Sequence, residues 1–249
     1  MLSHGPICTQ FHDGDTPTAS DSELAWYDAR LPRDAGPVLE AMCGFGRLLV
    51  PLVKRGIHAH GVDVSPAMLA SCEGRLAASG LTTPLFRQDV AEMNVPFRYG
   101  AVFVAGSSFQ LLADPVSAQS ALARIHAHLV PPALLFLDLS IPGAALHPPA
   151  APLVEVRAVK LPGGERITLH SVALVNAHAR QLKIARRYEK RSPAKDITRE
   201  DETLVRTWYD EAQIGALLEQ TGFTDVAIEP SAFAAEGGRA FGVRARAAS

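Results

Sequence analysis

Residues 38–47 read VLEAMCGFGR, and this stretch decides the fold class of the chain. A short apolar run ends at an acidic residue, Glu40, and a turn with two glycines leads into a predicted helix that begins near Arg47. A second apolar run continues into GVDVSPAML at 61–69, which places Asp63 at the end of the next predicted strand. Because parallel strands present their carboxyl ends at one edge of a sheet, this order predicts a crevice that binds a nucleoside-containing ligand.

The turn between the first strand and its helix is suited to close contact with a ligand. Gly44 and Gly46 allow positive φ angles and leave no Cβ in the path of a bound molecule. The N-terminus of the following helix would offer free N–H groups. Asp63 carries two acceptor oxygens, which suit the two hydroxyls of a ribose.

The spacing of this turn disfavours a dinucleotide. The common dinucleotide motif is G-x-G-x-x-G, with its first glycine directly after the strand. Met42 stands in that first position here, and residues 47–50 contain no third glycine. The carboxylate of Glu40 would repel a pyrophosphate, whereas it would tolerate a zwitterionic cofactor that carries an amine and a sulfonium.

Three segments resemble motifs I, II and III of the class I S-adenosylmethionine (SAM)-dependent methyltransferases. They are EAMCGFGR at 40–47, GVDVSPAML at 61–69 and FRQDV at 86–90. The commoner first motif of that family reads ELGCGTGR, so Met42 and Phe45 are departures from it. The resemblance covers about residues 20–140 well and the C-terminal part loosely. It implies SAM as the cofactor and S-adenosylhomocysteine as its product.

The resemblance also implies a role for each matching position. The methionine part of SAM would contact Tyr27, Glu40, Met42, Ala105 and Gly106. Its methionine and ribose portions would lie along Gly44 and Gly46, and the ribose hydroxyls would bind Asp63. The adenine would contact Val64, Met68, Asp89 and Val90.

Composition narrows the class of protein. The chain has 249 residues, of which 47% are hydrophobic, and a net charge of −2, as expected for one large globular α/β domain with an insertion. We expect no nucleic-acid partner because no continuous basic surface is visible, and no membrane span because no long apolar run occurs. The three cysteines lack metal-ligand spacing, so we expect no metal site and a cytoplasmic location. The oligomeric state is not predicted.

Strand and helix segments alternate over the first part of the chain, which predicts a Rossmann-like, mostly parallel sheet with helices on both faces. Residues 1–20 show little periodicity and predict a loose or ligand-ordered arm. Alternating apolar and polar residues at 154–208 predict an antiparallel sheet inserted after the fifth strand. Two late strands would bring the main sheet to seven. We therefore expect an arm and helix at 1–35, a core at 36–145 and 208–249, and an inserted subdomain at 146–207.

Catalytic residues are harder to predict. Methyl transfer from SAM depends mainly on positioning, so it needs no fixed catalytic motif. The segment after the fourth strand lacks the N/D-P-P-Y motif of enzymes that methylate planar amines of bases and glutamine. Asp138, at the end of the predicted fifth strand, and His147, in the next loop, are candidate general bases, as is His170. Contacts with the acceptor are expected from Ser108, Phe109, Arg186 and Tyr188, although turn and sheet-face roles would also account for these residues.

Two further functions remain open. Met42 in the first motif keeps a non-catalytic SAM-binding module, or a degenerate methyltransferase-like module, as an alternative. A nicotinamide-dependent oxidoreductase is a third hypothesis, although the chain lacks the third glycine of the dinucleotide-binding motif. The leading hypothesis is a SAM-dependent methyltransferase that acts on a nitrogen or oxygen atom of a small molecule.

Overall fold

The computed structural model describes residues 4–147, 149–231 and 238–248. In these ranges the helices are α1 (Pro6–Asp15), α2 (Asp21–Asp28), α3 (Leu49–Lys54), α4 (Pro66–Ala77), α5 (Pro115–His128), α6 (Gly143–Leu146) and α7 (Glu211–Gln220). The strands are β1 (Val38–Ala41), β2 (Ala59–Asp63), β3 (Leu85–Arg87), β4 (Tyr99–Val104), β5 (Leu129–Ile141), β6 (Leu153–Lys160), β7 (Arg166–Asn176), β8 (Gln181–Arg191), β9 (Ile197–Thr207), β10 (Phe223–Glu229) and β11 (Arg239–Ala247). None of the described helices is long and apolar enough to cross a membrane.

Seven strands form the main sheet, in the order β10-β11-β5-β4-β1-β2-β3. The pairs from β5 to β3 are parallel, and β11 is antiparallel to both β5 and β10. This confirms the predicted Rossmann-like, mostly parallel sheet. Strand β5 runs on to Ile141, beyond the predicted end at 138, because eight of its residues pair with β11.

Helices cover both faces of this sheet, as predicted. Along β4, Val102 and Val104 pack into a core cluster with α5 and α7. The alternate residues Ala101 and Phe103 pack into a second cluster with α2, α3 and α4. Successive side chains of a strand point to opposite faces, so the apolar run of β4 fills both clusters.

Side-chain caps fix where the crossover helices begin. Ser65 Oγ accepts the N–H of Met68 over 3.2 Å at the start of α4, and Pro66 occupies a first-turn position where its missing N–H is harmless. Asp114 accepts the N–H of Ser117 over 2.9 Å at the start of α5. In both helices the cap lies three positions before the residue whose N–H it accepts, so the interaction that fixes the helix start is local in sequence.

A separate four-stranded antiparallel sheet, in the order β6-β7-β8-β9, lies in the chain between β5 and α7. Its strands alternate buried and exposed residues: Ile167 and Leu169 of β7 are buried, whereas Val172 and Leu174 are exposed. The antiparallel sheet predicted after the fifth strand is therefore present. Gln110, after β4, donates hydrogen bonds to the carbonyl groups of Ser140 and Thr207, which ties this sheet to the main one.

Within the segment expected to form a loose or ligand-ordered arm, residues 6–15 form helix α1, so this part is not loose. Phe11 is fully buried, and its ring centroid lies 5.6 Å from that of Tyr188 in β8. At the other end, Glu200 Oε2 and Oε1 accept the N–H groups of Ile7 and Cys8 over 2.9 and 3.0 Å. Distant residues thus supply both the apolar contact and the cap, and a search for local periodicity cannot detect them.

Candidate functional site

A cavity of about 410 Å³ opens at the carboxyl ends of β1, β2 and β4, with α1 and β6 on its far side. Ten of the predicted site residues line this cavity: Glu40, Met42, Gly44, Asp63, Val64, Met68, Val90, Ala105, Gly106 and Ser108. They come from four separate segments of the chain. Parallel strands bring these segments to one edge of the sheet, as the sequence indicated.

The first turn adopts the left-handed backbone conformation at three positions, with φ of 61° at Met42, 55° at Gly44 and 76° at Gly46. At Met42 a non-glycine residue adopts this conformation where the common family motif has glycine. Gly46 does not line the cavity; a Cβ there would lie 2.5 Å from the sulfur of Cys72. Packing against α4 therefore requires Gly46, whereas Gly44 faces the cavity.

Asp63 joins this turn to the start of α4. Its Oδ2 accepts the N–H of Gly44 over 2.9 Å, and its Oδ1 accepts the N–H of Ser65 over 2.8 Å. Burial raises the pKa of Asp63, although these hydrogen bonds oppose the shift. Each oxygen still has one lone pair for a ligand hydroxyl.

The floor of the cavity holds a buried acid with an unused acceptor. Glu40 is 4% exposed, and its Oε2 has no hydrogen-bond partner among the described residues. Burial raises the pKa of Glu40 well above its ordinary value, against the opposing effect of Arg47. An unpaired buried oxygen is costly, so this geometry favours a ligand that donates a hydrogen bond or carries positive charge there.

Arg47 lines the cavity beside Glu40 and is a site residue that the sequence analysis left unassigned. Its Nη1 and Nη2 each donate to a different oxygen of Glu23 in α2, both over 2.6 Å. A guanidinium has five N–H donors, so this bidentate pair leaves others for a ligand carboxylate. Its position directly after Gly46 in the first motif was the available signal.

The far side of the cavity consists of residues that sequence reasoning missed. His4, His12 and Asp15 reach it from the α1 region, and Arg157 reaches it from β6. Arg157 Nη1 lies 2.8 Å from Asp15 Oδ2 and ties the two elements together. No local pattern links positions so far apart, so this wall was not predictable.

Tyr27 and Asp138 do not reach the cavity. Both are fully buried, and the Tyr27 hydroxyl donates a hydrogen bond to Asp138 Oδ2. Asp138 was expected at a strand end, but β5 continues past it and pairs it with Gly242 of β11. The structure thus places Asp138 and Tyr27 in a buried hydrogen-bonded pair outside the cavity lining, and their roles as a general base and a cofactor contact stay predictions.

Three other candidates lie outside the cavity lining. Phe109 is fully buried in the core, with its ring centroid 6.0 Å from that of Tyr209. The Asp89 carboxylate accepts the N–H of Ala91 over 2.9 Å and caps a short 3₁₀ turn. His147 is exposed at the end of α6. The structure does not bring these side chains together with the turn at residues 42–46, which we call the cofactor turn.

Arg186 and Tyr188 lie on the covered face of β8, as the alternation indicated, but they bind another residue of the same sheet. The Tyr188 hydroxyl donates to Glu202 Oε1 over 2.9 Å, and Arg186 Nη1 donates to the same oxygen over 3.3 Å. Tyr188 is fully buried against Phe11. Neither residue lines the cavity, and their contact with the acceptor stays a prediction.

Comparison with known proteins supports the same interpretation of residues 38–132. A family model described as a methyltransferase domain matches residues 38–132. A protein of Geobacillus sp. (strain WCH70) that is named as a methyltransferase is 29% identical over 102 residues, which are 41% of this chain and 41% of that protein. The chain spans less than half the length of the curated relatives that it matches.

Solved structures share the fold over nearly the whole chain. A sugar N-methyltransferase from Streptoalloteichus sp. superposes with a TM-score of 0.78 at 18% identity, covering 100% of this chain and 95% of that one. A SAM-bound amino pentose methyltransferase from Micromonospora echinaspora gives a TM-score of 0.65 at 22% identity, covering 91% and 89%. Residues 38–132 thus match a methyltransferase domain, and the chain as a whole shares the fold of SAM-dependent methyltransferases of known structure.

Proposed function

We propose that the chain is a SAM-dependent methyltransferase that transfers a methyl group to a nitrogen or oxygen atom of a small-molecule acceptor. One observation carries the proposal: Gly44, Asp63 and Glu40 Oε2, which has no partner in the part of the chain that the structure describes, meet in a single cavity. SAM carries an ammonium, a carboxylate, a ribose and an adenine. The cavity offers a matching group for each of them.

The residues present fit this cofactor. Glu40 Oε2, which lacks a partner among the described residues, would accept from the ammonium group. Arg47 would bind the carboxylate, and Asp63 would accept from the ribose hydroxyls. Val64 and Met68 would pack against the adenine. When bound, SAM supplies an already activated methyl group, so the chain has to hold the acceptor in line and exclude water.

The walls of the cavity support a small acceptor. Helix α1 and strand β6 line it opposite the cofactor turn, and its volume of about 410 Å³ lies in the range of small-molecule pockets. The solved structures of similar fold include enzymes named as sugar and amino pentose methyltransferases. Amino sugars are therefore the first acceptors to test.

The three cysteines are all unpaired, which fits the cytoplasmic location that we propose.

Isothermal titration with S-adenosylhomocysteine tests the cofactor, with NAD and NADP as controls. We expect micromolar binding of the thioether and no saturation by either nicotinamide. The proposal fails if NAD or NADP binds and S-adenosylhomocysteine does not. If none of the three binds, a degenerate module becomes the better reading, and Met42→Gly is the next variant to titrate.

Turnover separates an enzyme from a non-catalytic SAM-binding module. The protein is incubated with SAM and a panel of amino sugars, phenols and carboxylic acids, and methylated products are detected by mass spectrometry. An acceptor that gains one methyl group, together with release of S-adenosylhomocysteine, supports the proposal. Cofactor binding without transfer to any member of a broad panel would favour the binding module.

A further inference from the structure

Three side chains of the types that bind zinc converge beside the cavity: His4, Cys8 and Glu202. His4 Nδ1 lies 2.8 Å from Glu202 Oε2 and 3.5 Å from Cys8 Sγ, and Cys8 Sγ lies 3.8 Å from Glu202 Oε1. We propose that these three residues form a binding site for a single zinc-type divalent ion. The site stands apart from the cofactor residues and does not rest on methyl transfer.

The spacing of the ligand atoms suits a tetrahedral ion. Bonds of about 2.0–2.3 Å from zinc to nitrogen, oxygen and sulfur place neighbouring ligand atoms about 3.3–3.6 Å apart. The contact between His4 Nδ1 and Cys8 Sγ is already within this range, and the contact between His4 Nδ1 and Glu202 Oε2 has to open slightly. One ligand atom from each of the three residues lies within 4.8 Å of the other two. A thiolate, an imidazole and a carboxylate together favour zinc over magnesium or calcium, which prefer oxygen ligands alone.

The backbone holds the two N-terminal ligands in place. His4 precedes α1 and Cys8 lies in its first turn, four positions later, so both reach the same side of the helix. The main-chain carbonyl of His4 accepts a hydrogen bond of 2.6 Å from Ser65 Oγ. Glu200 accepts the N–H of Cys8 over 3.0 Å. The site is therefore attached both to the cofactor-binding core and to the inserted sheet.

The two oxygens of Glu202 divide their contacts in the way expected of a metal ligand. Oε1 accepts from the Tyr188 hydroxyl over 2.9 Å and from Arg186 over 3.3 Å and lies 3.8 Å from Cys8 Sγ, while Oε2 faces His4. Outer contacts of this kind orient a ligating carboxylate. The Arg186 charge opposes a cation, but the carboxylate and a Cys8 thiolate together balance the two charges of the ion.

Three protein ligands leave one coordination position open. His4 lines the cavity, whereas Cys8 is fully buried, so the open position lies on the cavity side. Zinc sites with three protein ligands take water or another small donor in the fourth position. The site would thus present an exchangeable ligand to the space beside the cofactor turn.

Cobalt(II) spectroscopy of the full chain tests this site without any measurement of activity. After chelator treatment and desalting, cobalt is titrated in, and zinc is then added. We expect one equivalent of cobalt to give visible bands of tetrahedral strength and a thiolate-to-cobalt band in the near ultraviolet, both removed by zinc. Cys8→Ser should lose the near-ultraviolet band, whereas Cys72→Ser, the matched control at a buried cysteine outside the site, should keep it.

The remaining variants and a second titration keep the result unambiguous. His4→Gln and Glu202→Gln should each weaken zinc binding at least tenfold, and they replace Cys8→Ser if that variant does not fold by circular dichroism. No cobalt band in the wild type, or a thiolate band that persists in Cys8→Ser, overturns the site. S-adenosylhomocysteine is titrated into the same samples. If the wild type binds S-adenosylhomocysteine but no metal, the metal site has failed and the cofactor proposal stands. If it binds the metal but not S-adenosylhomocysteine, the cofactor proposal has failed and the metal site stands.

Discussion

The main-chain N–H of Gly44 donates a hydrogen bond of 2.9 Å to Oδ2 of Asp63, which joins the first turn to the end of β2. The other oxygen of the same carboxylate accepts the N–H of Ser65 at the start of α4. One side chain thus holds two of the segments that line the cavity. We propose that its remaining lone pairs accept the ribose hydroxyls, so that the shape of the site and the binding of the ligand depend on the same group.

We expect Asp63→Ala to weaken the binding of S-adenosylhomocysteine by about 1–3 kcal/mol, because a charged acceptor for two hydroxyls is lost. Isothermal titration measures the change. Asp28→Ala is the control, since Asp28 pairs with Arg33 and Arg55 and does not line the cavity. Equal affinities for Asp63→Ala and the wild type would remove the ribose assignment.

The two turn glycines should respond differently to alanine. A Cβ at Gly46 would lie 2.5 Å from Cys72 Sγ and 2.8 Å from Val50 Cγ2, whereas a Cβ at Gly44 would meet only Met68 Sδ at 3.9 Å. We expect Gly46→Ala to lower the free energy of unfolding by about 2–4 kcal/mol, through backbone strain and overlap. Gly44→Ala should cost about 1–2 kcal/mol from the left-handed conformation alone.

Binding should show the opposite order, because Gly44 lines the cavity and Gly46 does not. The affinity for S-adenosylhomocysteine should fall in Gly44→Ala and change little in Gly46→Ala. Chemical denaturation and isothermal titration give the two quantities. The same ranking in both measurements would mean that the turn is not a ligand contact.

Glu40→Gln should be more stable than the wild type by a margin that grows as the pH rises. Burial raises the pKa of Glu40, so folding favours the protonated carboxyl. The stabilisation from that proton is fully present when the pH is below the ordinary pKa of a glutamate carboxyl. It is lost as the pH rises through the pKa of Glu40 in the folded protein. Glutamine does not titrate, so the Tm of Glu40→Gln should rise relative to the wild type as the pH increases from about 4.5.

Glu73→Gln, at an exposed position of α4, controls for the removal of one negative charge. Tm values are recorded from mildly acidic to mildly alkaline pH for the wild type and both variants. A gap between Glu40→Gln and the wild type that stays constant with pH, or that Glu73→Gln reproduces, would contradict the buried-carboxylate explanation.

Phe11→Ala tests whether α1 is part of the folded core. Phe11 is fully buried with Tyr188, and its truncation should cost about 3–5 kcal/mol of the free energy of unfolding. Phe97→Ala removes the same atoms from a ring that is 38% exposed and should cost clearly less. Urea denaturation measures both variants. Equal, small losses would mean that α1 is not packed in solution.

Much of the fold followed from local patterns. Alternating strand and helix segments indicated the parallel core, and alternating apolar and polar residues at 154–208 indicated the antiparallel sheet. The cofactor turn was equally accessible, because Gly44 and Asp63 lie at ends of neighbouring parallel strands that any β-α-β unit brings together. For these features the sequence alone was sufficient, since the interactions that decide them are short-range or fixed by the topology.

Long-range contacts decided the rest. Helix α1 is capped by Glu200, 193 positions from Ile7, and His4 meets Glu202 across 198 positions. Asp138 is buried because β11 extends the pairing of β5 past it. The sequence by itself determined the parallel core and the cofactor turn through local periodicity, caps and glycine positions. Only the tertiary structure decided the far wall of the cavity and the cluster of His4, Cys8 and Glu202, because packing of the inserted sheet onto α1 brings those side chains together.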